Sequence, residues 1–532
     1  MKILIRYLLA LSFGAALLWS DWHTFGADPQ RSGWAKQEST ITKDNVKGLQ
    51  LEWKIKFENA AKELNSLTAP VTIDGVITPR GFKEFLFVAG SSDYLYAVDA
   101  DTGKIAWQKH FTTEAPAPAR TPFWLCPNAL NATPVIQTGQ GLGRTVYVIS
   151  TDGRLHALNV NNGEDRFAPT QFVPPYSKVW SLNVINPPAG QPRGAPGAPQ
   201  PSAGILYTST SQGCGGTKSG IWSMDLASPD KKVSFFQADT AGAGIWGRGG
   251  PVVGFDGKVY GETGDGPYDA AAGKYSDTFL ALSPKDLKLV DYYTPANRDW
   301  ITRKDLDMGN ISPVIFDYKG RELMVGAGKE GILFLLDAKS LGGDTHRKPL
   351  YRSPLYTNED VDFAGRGFWG AFASWQDEKG TRWVYAPAWG PPHAKAPAFA
   401  VTNGPAPNGS IMAFKVEDKD GHPVLAPAWI SRDMNVPEPP VIANGVVFAV
   451  SSGEFVRQAK ESGALFSSKE RADMAVGNAT LFAFDAETGK ELFSSGKTMP
   501  SFTHFSGIAI SNGRVFVTTF DSTLYAFSVK PE

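Results

Sequence analysis

The sequence is poor in the residue types that many catalytic sites require. Its 532 residues include only two cysteines and seven histidines, and the histidines show no metal-ligand spacing such as His-x-x-x-His. It contains no Cys-x-x-Cys-His segment, no Gly-x-Ser-x-Gly nucleophile elbow and no phosphate-binding loop. These absences argue against zinc chemistry, covalent haem attachment and serine hydrolysis.

Charge and long apolar runs are equally scarce. The formal net charge is -1, so the chain has no basic excess with which to attract nucleic acid. One apolar run, Tyr7–Trp19, follows Lys2 and Arg6 and predicts a signal peptide over residues 1–20. An N-terminal membrane anchor is the alternative. With no cysteine after the run to carry a lipid, we expect residues 21–532 to be periplasmic or secreted, without stable membrane insertion after cleavage.

Turn-forming residues and tryptophan, in contrast, are abundant. The chain has 55 Gly, 38 Pro and 15 Trp. One phrase recurs at Leu95–Trp107, Leu155–Phe167 and Leu481–Phe493: an alternating strand, a turn that ends in Gly, and a returning aromatic residue. Each copy predicts a β-hairpin whose aromatic residue packs against the next repeat. Weaker copies lie at Gly220–Phe235, Phe279–Tyr292, Leu333–Leu350, Ile411–Trp429 and Leu524–Phe527.

These eight units predict an all-β, eight-bladed β-propeller that forms a single domain. The last unit stops after one strand, and Leu49–Phe57 near the N-terminus has the pattern of the missing outer strand. Pairing of the N-terminal and C-terminal strands would close the ring and leave no open sheet edge within it. The alternative of two smaller domains requires a linker that the sequence lacks, since the Pro- and Gly-rich stretches 186–204 and 391–409 are typical of surface-loop insertions.

Two motifs resemble a known family. The repeat Ala97-x-Asp-x-x-Thr-Gly-x-x-x-Trp107 resembles the tryptophan-docking repeat of the pyrroloquinoline-quinone (PQQ) dependent alcohol dehydrogenases, and the opening segments Trp22–Gly26 and Asn45–Trp53 are similar to the start of that family. The resemblance covers nearly the whole mature chain. It implies PQQ in a central funnel beside a calcium or lanthanide ion, an alcohol or sugar substrate, and electron transfer to a separate acceptor such as a cytochrome c.

The resemblance also assigns roles to individual residues. It places Trp246 as the floor on which the quinone stacks and Asp265 as a metal ligand. It makes Asp305 the catalytic base beside the metal and Asp307 a further metal ligand, as in lanthanide-using members. It gives Lys329 the contact to the reactive quinone carbonyl. Carboxylates suit a hard cation, and a lysine suits the negative charge that grows on a carbonyl oxygen.

Several positions depart from the family pattern. Gly215 stands where the family has a glutamate metal ligand, and Asn131 where it has an arginine. Lys304 stands where a tryptophan is usual. The adjacent cysteine pair that covers the quinone is replaced by Cys126 alone. The resemblance places Cys214 beside the same site, so a Cys126–Cys214 bond either restores a sulfur roof over the quinone or is a purely structural disulfide.

Two readings of the function therefore remain open. The first is an exported PQQ- and metal-dependent dehydrogenase, supported by the order of the tryptophan, the carboxylates and the lysine. The second is a cofactor-free propeller that binds a protein or an envelope component, supported by the lost glutamate, arginine and cysteine pair. Glu262 is a substitute ligand in principle, but strand alternation from Asp265 directs its side chain to the opposite side. Trp369 and Trp389 are expected to pack between blades.

Overall fold

A computed structural model of the chain describes residues 20–118, 125–138, 143–185, 204–238, 244–455, 457 and 459–529. The predicted signal peptide lies outside the described residues except for Ser20, and so does the insertion 186–204 except for Gly204. Within the described ranges, no helix is both long enough and apolar enough to cross a membrane.

The described strands form eight sheets arranged as the blades of a propeller, antiparallel except where Val401–Thr402 pairs in parallel with His422–Ile430. We number the blades in chain order. The strands of the first four blades follow. Blade 1 has Val71–Thr78, Gly81–Gly90, Tyr94–Asp99 and Lys104–His110; blade 2 has Val135–Gln137, Thr145–Ile149, Arg154–Asn159 and Thr170–Gln171; blade 3 has Lys178–Val179, Asn183–Ile185, Ile205–Ser211, Gly220–Asp225 and Val233–Gln237; blade 4 has Val252–Val253, Val259–Glu262, Phe279–Leu282 and Leu289–Tyr293.

The second half of the chain completes the ring. Blade 5 has Val314–Tyr318, Arg321–Ala327, Leu333–Asp337 and Tyr351–Arg352; blade 6 has Gly367–Phe368, Ala373–Gln376, Arg382–Trp389, Val401–Thr402, Gly409–Lys419 and His422–Ile430; blade 7 has Val441–Ala443, Val446–Ser451, Thr480–Asp485 and Glu491–Ser494; blade 8 has Ile508–Ser511, Arg514–Thr518 and Thr523–Val529. The fourth strand of blade 8 is Leu49–Lys56, which pairs antiparallel with Thr523–Val529. The predicted eight-bladed fold and its closure by the two termini are both confirmed.

Short elements lie between the blades. The described α-helices are Arg298–Arg303 and Ser468–Asp473, and the 3-10 helices are Val46–Gly48, Cys214–Gly216, Ala270–Ala272 and Gly343–Thr345. Tyr268–Asp269 pairs with Lys274–Tyr275 in a small hairpin, and Ile311–Ser312 pairs in parallel with Gly370–Ala371.

Tryptophans of the outer strands join neighbouring blades. The Trp107 indole N–H donates to the Val160 carbonyl oxygen (3.0 Å), and the ring lies against Gly163 of blade 2, where a Cβ atom would be 2.7 Å from it. Trp53 makes the same contact with Gly103. Both glycines have positive φ. The recurring glycine therefore allows the turn and also leaves space for the neighbouring indole.

The innermost strands contact one another around the ring, and the inner strand of blade 8 contacts that of blade 1. Residues 20–35 run along this inner wall and bond to every blade. The contacts are, in ring order, Ser20 with Ser511 of blade 8, Trp22 with Thr72 of blade 1, His23 with Ile136 of blade 2, Thr24 with Leu182 just before the Asn183–Ile185 strand of blade 3, Pro29 with Val253 of blade 4, Gln30 with Ile315 of blade 5, Ser32 with Ser374 of blade 6, and Gly33 with Ile442 of blade 7. The segment makes one complete circuit of the central axis.

Candidate functional site

The meander order of the blades collects the predicted site residues at one end of the ring. Successive connections in a four-stranded antiparallel blade alternate between its two ends. The connection between the second and third strands therefore lies at the same end as the connection to the next blade. Every predicted site residue lies in connections of these two kinds: Cys126, Cys214, Trp246, Asp265, Asp305, Asp307 and Lys329.

Three carboxylates meet in the connections of blades 4 and 5. One carboxylate oxygen each from Asp265, Asp305 and Asp307 lies within 4.8 Å of the others. The Asp265 N–H also donates to Asp307 Oδ1 (3.0 Å), which fixes the Asp307 side chain against the neighbouring connection. Asp305 follows the Arg298–Arg303 helix with a φ of 55°, an uncommon conformation for a residue other than Gly. In the described part of the chain, no other group of three metal-ligating side chains comes together.

Lys329 lies directly on this cluster. Its Nζ donates to Asp307 Oδ2 (2.7 Å) and to Asp305 Oδ1 (3.3 Å). The same Nζ is 5.4 Å from the ring centroid of Trp246 and 5.3 Å from that of Trp369. Both the Lys329 and the Asp307 side chains are buried, whereas the Asp305 side chain is 47% exposed. Asp305 is therefore much more accessible to solvent than Asp307.

The cluster carries more negative charge than Lys329 alone can neutralise. Burial, followed by the charge of Asp307, raises the pKa of Asp265 to about 9. Burial also raises the pKa of Asp305, although Lys329 acts in the opposite sense. Burial opposes ionisation of Asp307 too, but the charge of Lys329 and hydrogen bonds from Asp265 outweigh it and hold the pKa of Asp307 well below its usual range. Without a cation, the cluster thus retains a proton on Asp265.

This donor set fits a hard cation. Calcium and lanthanide-like ions prefer several carboxylate oxygens, and a bound ion would favour the ionised form of Asp265 over the protonated one. Asp265, Asp305 and Asp307 are the residues that would hold it.

Trp246 belongs to an aromatic cluster at the axis. Its backbone N–H donates to the Gly309 carbonyl oxygen (2.8 Å), and its ring meets Trp369 edge-on at 5.6 Å. Trp369 and Trp389 are buried and stack on each other at 4.3 Å, as expected for packing residues. Phe505 also packs against this cluster. Trp246 is partly exposed, so one part of its ring remains accessible from the funnel.

Cys126 and Cys214 form a disulfide with a Cα–Cα distance of 5.5 Å. The bond joins the connection between blades 1 and 2 to the connection between the second and third main strands of blade 3. Both cysteines are buried. The role of this bond as a cover for the quinone stays a prediction.

The departures from the family pattern have structural counterparts. Gly215 has a φ of +62°, and a Cβ atom there would lie 2.3 Å from the Pro175 carbonyl oxygen, so the loop does not accept a glutamate at this position without moving. Asn131 accepts a hydrogen bond from the Val179 N–H (3.0 Å). Glu262 is buried against Gly326 of blade 5 and is not part of the carboxylate cluster, in agreement with the strand alternation.

Sequence reasoning missed one acidic residue beside the cluster. Asp277 is fully buried; its N–H donates to the Gly264 carbonyl oxygen (2.8 Å), and its Oδ2 accepts from Thr302 Oγ1 (2.5 Å). Burial and then the charge of Asp307 raise the pKa of Asp277 to about 7. Asp277 lies at the end of the connection that carries Asp265, immediately before the third strand of blade 4. This position is the one sequence signal that could have indicated that Asp277 lies near the cluster.

Comparisons with known proteins agree with the motifs. Residues 22–169 match the family model described as the β-propeller domain of PQQ-dependent glucose, ethanol and alcohol dehydrogenases. No curated protein matches the chain in sequence. The quinohemoprotein alcohol dehydrogenase from Comamonas testosteroni is similar in structure, with a TM-score of 0.54 and 16% identity over 96% of this chain and 81% of that one.

Two further solved structures share the fold. A quinohemoprotein alcohol dehydrogenase from Pseudomonas putida HK5 has a TM-score of 0.56 and 13% identity over 96% of this chain and 81% of that one. A europium-containing methanol dehydrogenase has a TM-score of 0.55 and 13% identity over 96% and 98%. At these identities the structural matches establish the fold alone. They confirm the β-propeller fold, and the match over residues 22–169 agrees with the predicted resemblance to the PQQ-dependent alcohol dehydrogenases.

Proposed function

We propose that this protein is a dehydrogenase that binds PQQ and a calcium or lanthanide ion and oxidises an alcohol or a sugar. The observation that carries the proposal is the meeting of Asp265, Asp305 and Asp307 within 4.8 Å of one another, with Lys329 and Trp246 beside them. These are the residues that the sequence resemblance assigns to the metal, the base and the quinone.

Each residue has a chemical task in this proposal. Asp265, Asp307 and Asp305 hold the cation, and Asp305, whose side chain is 47% exposed, also accepts the proton of the substrate hydroxyl. Lys329 places a positive charge where negative charge grows on an oxygen, and Trp246 offers an aromatic face. When bound, PQQ supplies the two-electron acceptor and the cation a Lewis acid.

We further propose that the protein acts in the periplasm or outside the cell. The Cys126–Cys214 disulfide supports this, because such bonds persist mainly in oxidising compartments. The sequence has no Cys-x-x-Cys-His segment for covalent haem. The electrons would therefore pass to a separate acceptor, such as a cytochrome c.

Metal binding is tested first, without the quinone. Terbium added to the purified protein should give luminescence sensitised by Trp246 and Trp369, and calcium should compete for the site. Asp265→Asn should weaken terbium binding at least tenfold, because it removes one of three anionic ligands. Asp299→Asn is the matched control, since the side chain of Asp299 is 79% exposed on the nearby helix. Equal binding by both variants would place the metal elsewhere.

Quinone binding and turnover are tested next. PQQ with calcium should quench the protein fluorescence, and Trp246→Phe should remove much of that quenching, whereas Trp222→Phe in blade 3 should not. Dye reduction with a panel of alcohols and sugars should fall about 100-fold or more in Asp305→Asn, the range expected on loss of a general base. Absence of PQQ binding with every metal would contradict the proposal and favour a cofactor-free propeller that binds a protein partner.

A further inference from the structure

A narrow cavity lies on the propeller axis beside the aromatic cluster. Lys178, Trp180 and Asn131 line one side of it, and Arg248 and Phe505 line another. Phe505 also packs against the cluster that contains Trp246. The cavity and the proposed quinone floor are therefore neighbours.

Lys178 is an unusual residue for such a position. It is only 4% exposed, and its Nζ donates to Asn65 Oδ1 (3.2 Å) and to the Leu125 carbonyl oxygen (3.3 Å). The ammonium group lies 5.4 Å from the ring centroid of Trp180. No carboxylate of the described residues lies within 4.0 Å of Lys178 Nζ. Lysines are seldom buried without an anionic partner, and burial lowers the pKa of Lys178 to about 7.

The other cations around the cavity are already compensated. Arg248 forms a buried ion pair with Glu438, and its guanidinium lies 4.0 Å from the centroid of Phe505. Glu454 accepts from Arg471 and from His504 Nδ1. Burial lowers the pKa of His504 to about 4, so this histidine is neutral near pH 7. Among the described residues, Lys178 is thus the cation of the cavity that has hydrogen-bond partners but no carboxylate partner.

We propose that Lys178 binds a carboxylate of the ligand in the central cavity and supplies the cationic contact that Asn131 has lost. Asn131 lies next to it, because its Oδ1 accepts from the N–H of Val179. The proposal rests on the proposed function, since PQQ is a planar tricarboxylic acid that stacks on aromatic rings. A lysine from the first strand of blade 3 would then replace an arginine from the preceding connection.

The affinity should depend on pH with a definite sign. A carboxylate ligand binds the protonated amine, so affinity is highest below the pKa of the free protein and falls as pH rises through about 7. Between pH 6 and 8, His504 stays neutral and Arg248 stays charged, because their pKa values lie near 4 and 9. Glu63 is the acidic residue whose charge acts on Lys178. We expect the wild-type affinity to fall roughly tenfold over this range relative to Lys178→Arg, whose cation does not titrate.

The test is a titration of the metal-loaded protein with PQQ, followed by fluorescence quenching and calorimetry. Lys178→Met should weaken binding about 10- to 100-fold, the range expected for loss of a charge-assisted hydrogen bond. Lys178→Arg should bind within a few-fold of wild type, with a flatter pH profile. Lys218→Met is the control, because Lys218 is exposed four residues after Cys214. Circular dichroism checks that each variant is folded.

The outcomes separate the two proposals. If the wild type binds PQQ and Lys178→Met binds it equally well, the role of Lys178 is overturned and the proposed function stays intact. Wild type that binds no PQQ with any metal would overturn both. Weakened binding in Lys178→Met, together with retained binding and a flattened pH profile in Lys178→Arg, would establish the carboxylate contact. Asp265 is present in the wild type and in both Lys178 variants, so any effect of its own protonation on PQQ binding cancels when these proteins are compared.

Discussion

Glu262 is a carboxyl group that the fold keeps away from water. It ends the second strand of blade 4 and is 0% exposed, with its side chain against Phe279 and Gly326. Neither carboxyl oxygen has a hydrogen-bond partner of normal geometry in the described part of the chain. Burial raises the pKa of Glu262 well above its usual value, and the N–H of Ala327 opposes this only in part. Burial therefore favours the protonated form of Glu262 in the native protein.

Protonation of a buried acid links stability to pH. The unfolded chain releases this proton above about pH 4.5, whereas the native chain keeps it. Because the native state binds the extra proton, the free energy of unfolding falls by about 1.4 kcal/mol for each pH unit above 4.5 until the native pKa is reached. At pH 7 the loss amounts to at most about 3 kcal/mol. Glu262→Gln keeps the shape of the side chain and removes this dependence.

The assay is denaturant unfolding of wild type and Glu262→Gln at pH 5, 6, 7 and 8. We expect the stability of the variant relative to wild type to increase with pH, by at most about 1.4 kcal/mol per pH unit. The buried amide adds a constant difference, so the slope is the diagnostic quantity. Glu417→Gln, at an exposed position of the Gly409–Lys419 strand in blade 6, is the control and should show no such slope. A pH-independent difference for Glu262→Gln would refute the reasoning, because it would mean that Glu262 is ionised in the native state.

Two further predictions concern the framework of the ring. Reduction of the Cys126–Cys214 bond, which links residues 88 positions apart, should lower the free energy of unfolding by up to about 4.6 kcal/mol through the entropy of the unfolded chain. Denaturation with and without dithiothreitol measures this, and a double Cys→Ser variant should not respond to the reductant. Gly163→Ala should cost about 2 kcal/mol more than Gly320→Ala, because a Cβ atom at Gly163 meets Trp107 at 2.7 Å whereas Gly320, with a similar φ, faces open space. Equal losses in the two variants would show that the turn conformation alone requires the glycine.

The propeller could be predicted because its information is local and repeated. Leu95–Trp107 and its copies each specify a hairpin, and eight copies with one missing strand specify the closure by Leu49–Lys56. The family resemblance grouped Trp246, Asp265 and Lys329 into one site, and the connections that carry them lie at the same end of the blades.

Other features depend on distant single contacts that leave no periodic pattern. The ion pair of Lys329 with Asp307 forms where two connections approach each other, and Asp277 is buried beside the carboxylate cluster. Lys178 has no carboxylate partner among the described residues because no acidic side chain packs against its ammonium group, and this depends on the packing of the whole ring. Sequence patterns can suggest the residues of such a site, but they do not predict which of these residues are charged and which are paired with one another.

The circuit of residues 20–35 along the inner wall affects how the protein folds. A chain that is made from its N-terminus produces this segment first, yet its bonding partners extend from Thr72 to Ser511. Contacts over such long separations form late and slow the search for the native state. The early segment therefore gains its partners one blade at a time, and the Leu49–Lys56 strand has no partner strand until the last blade exists. During that interval the chain is most exposed to proteases and to aggregation.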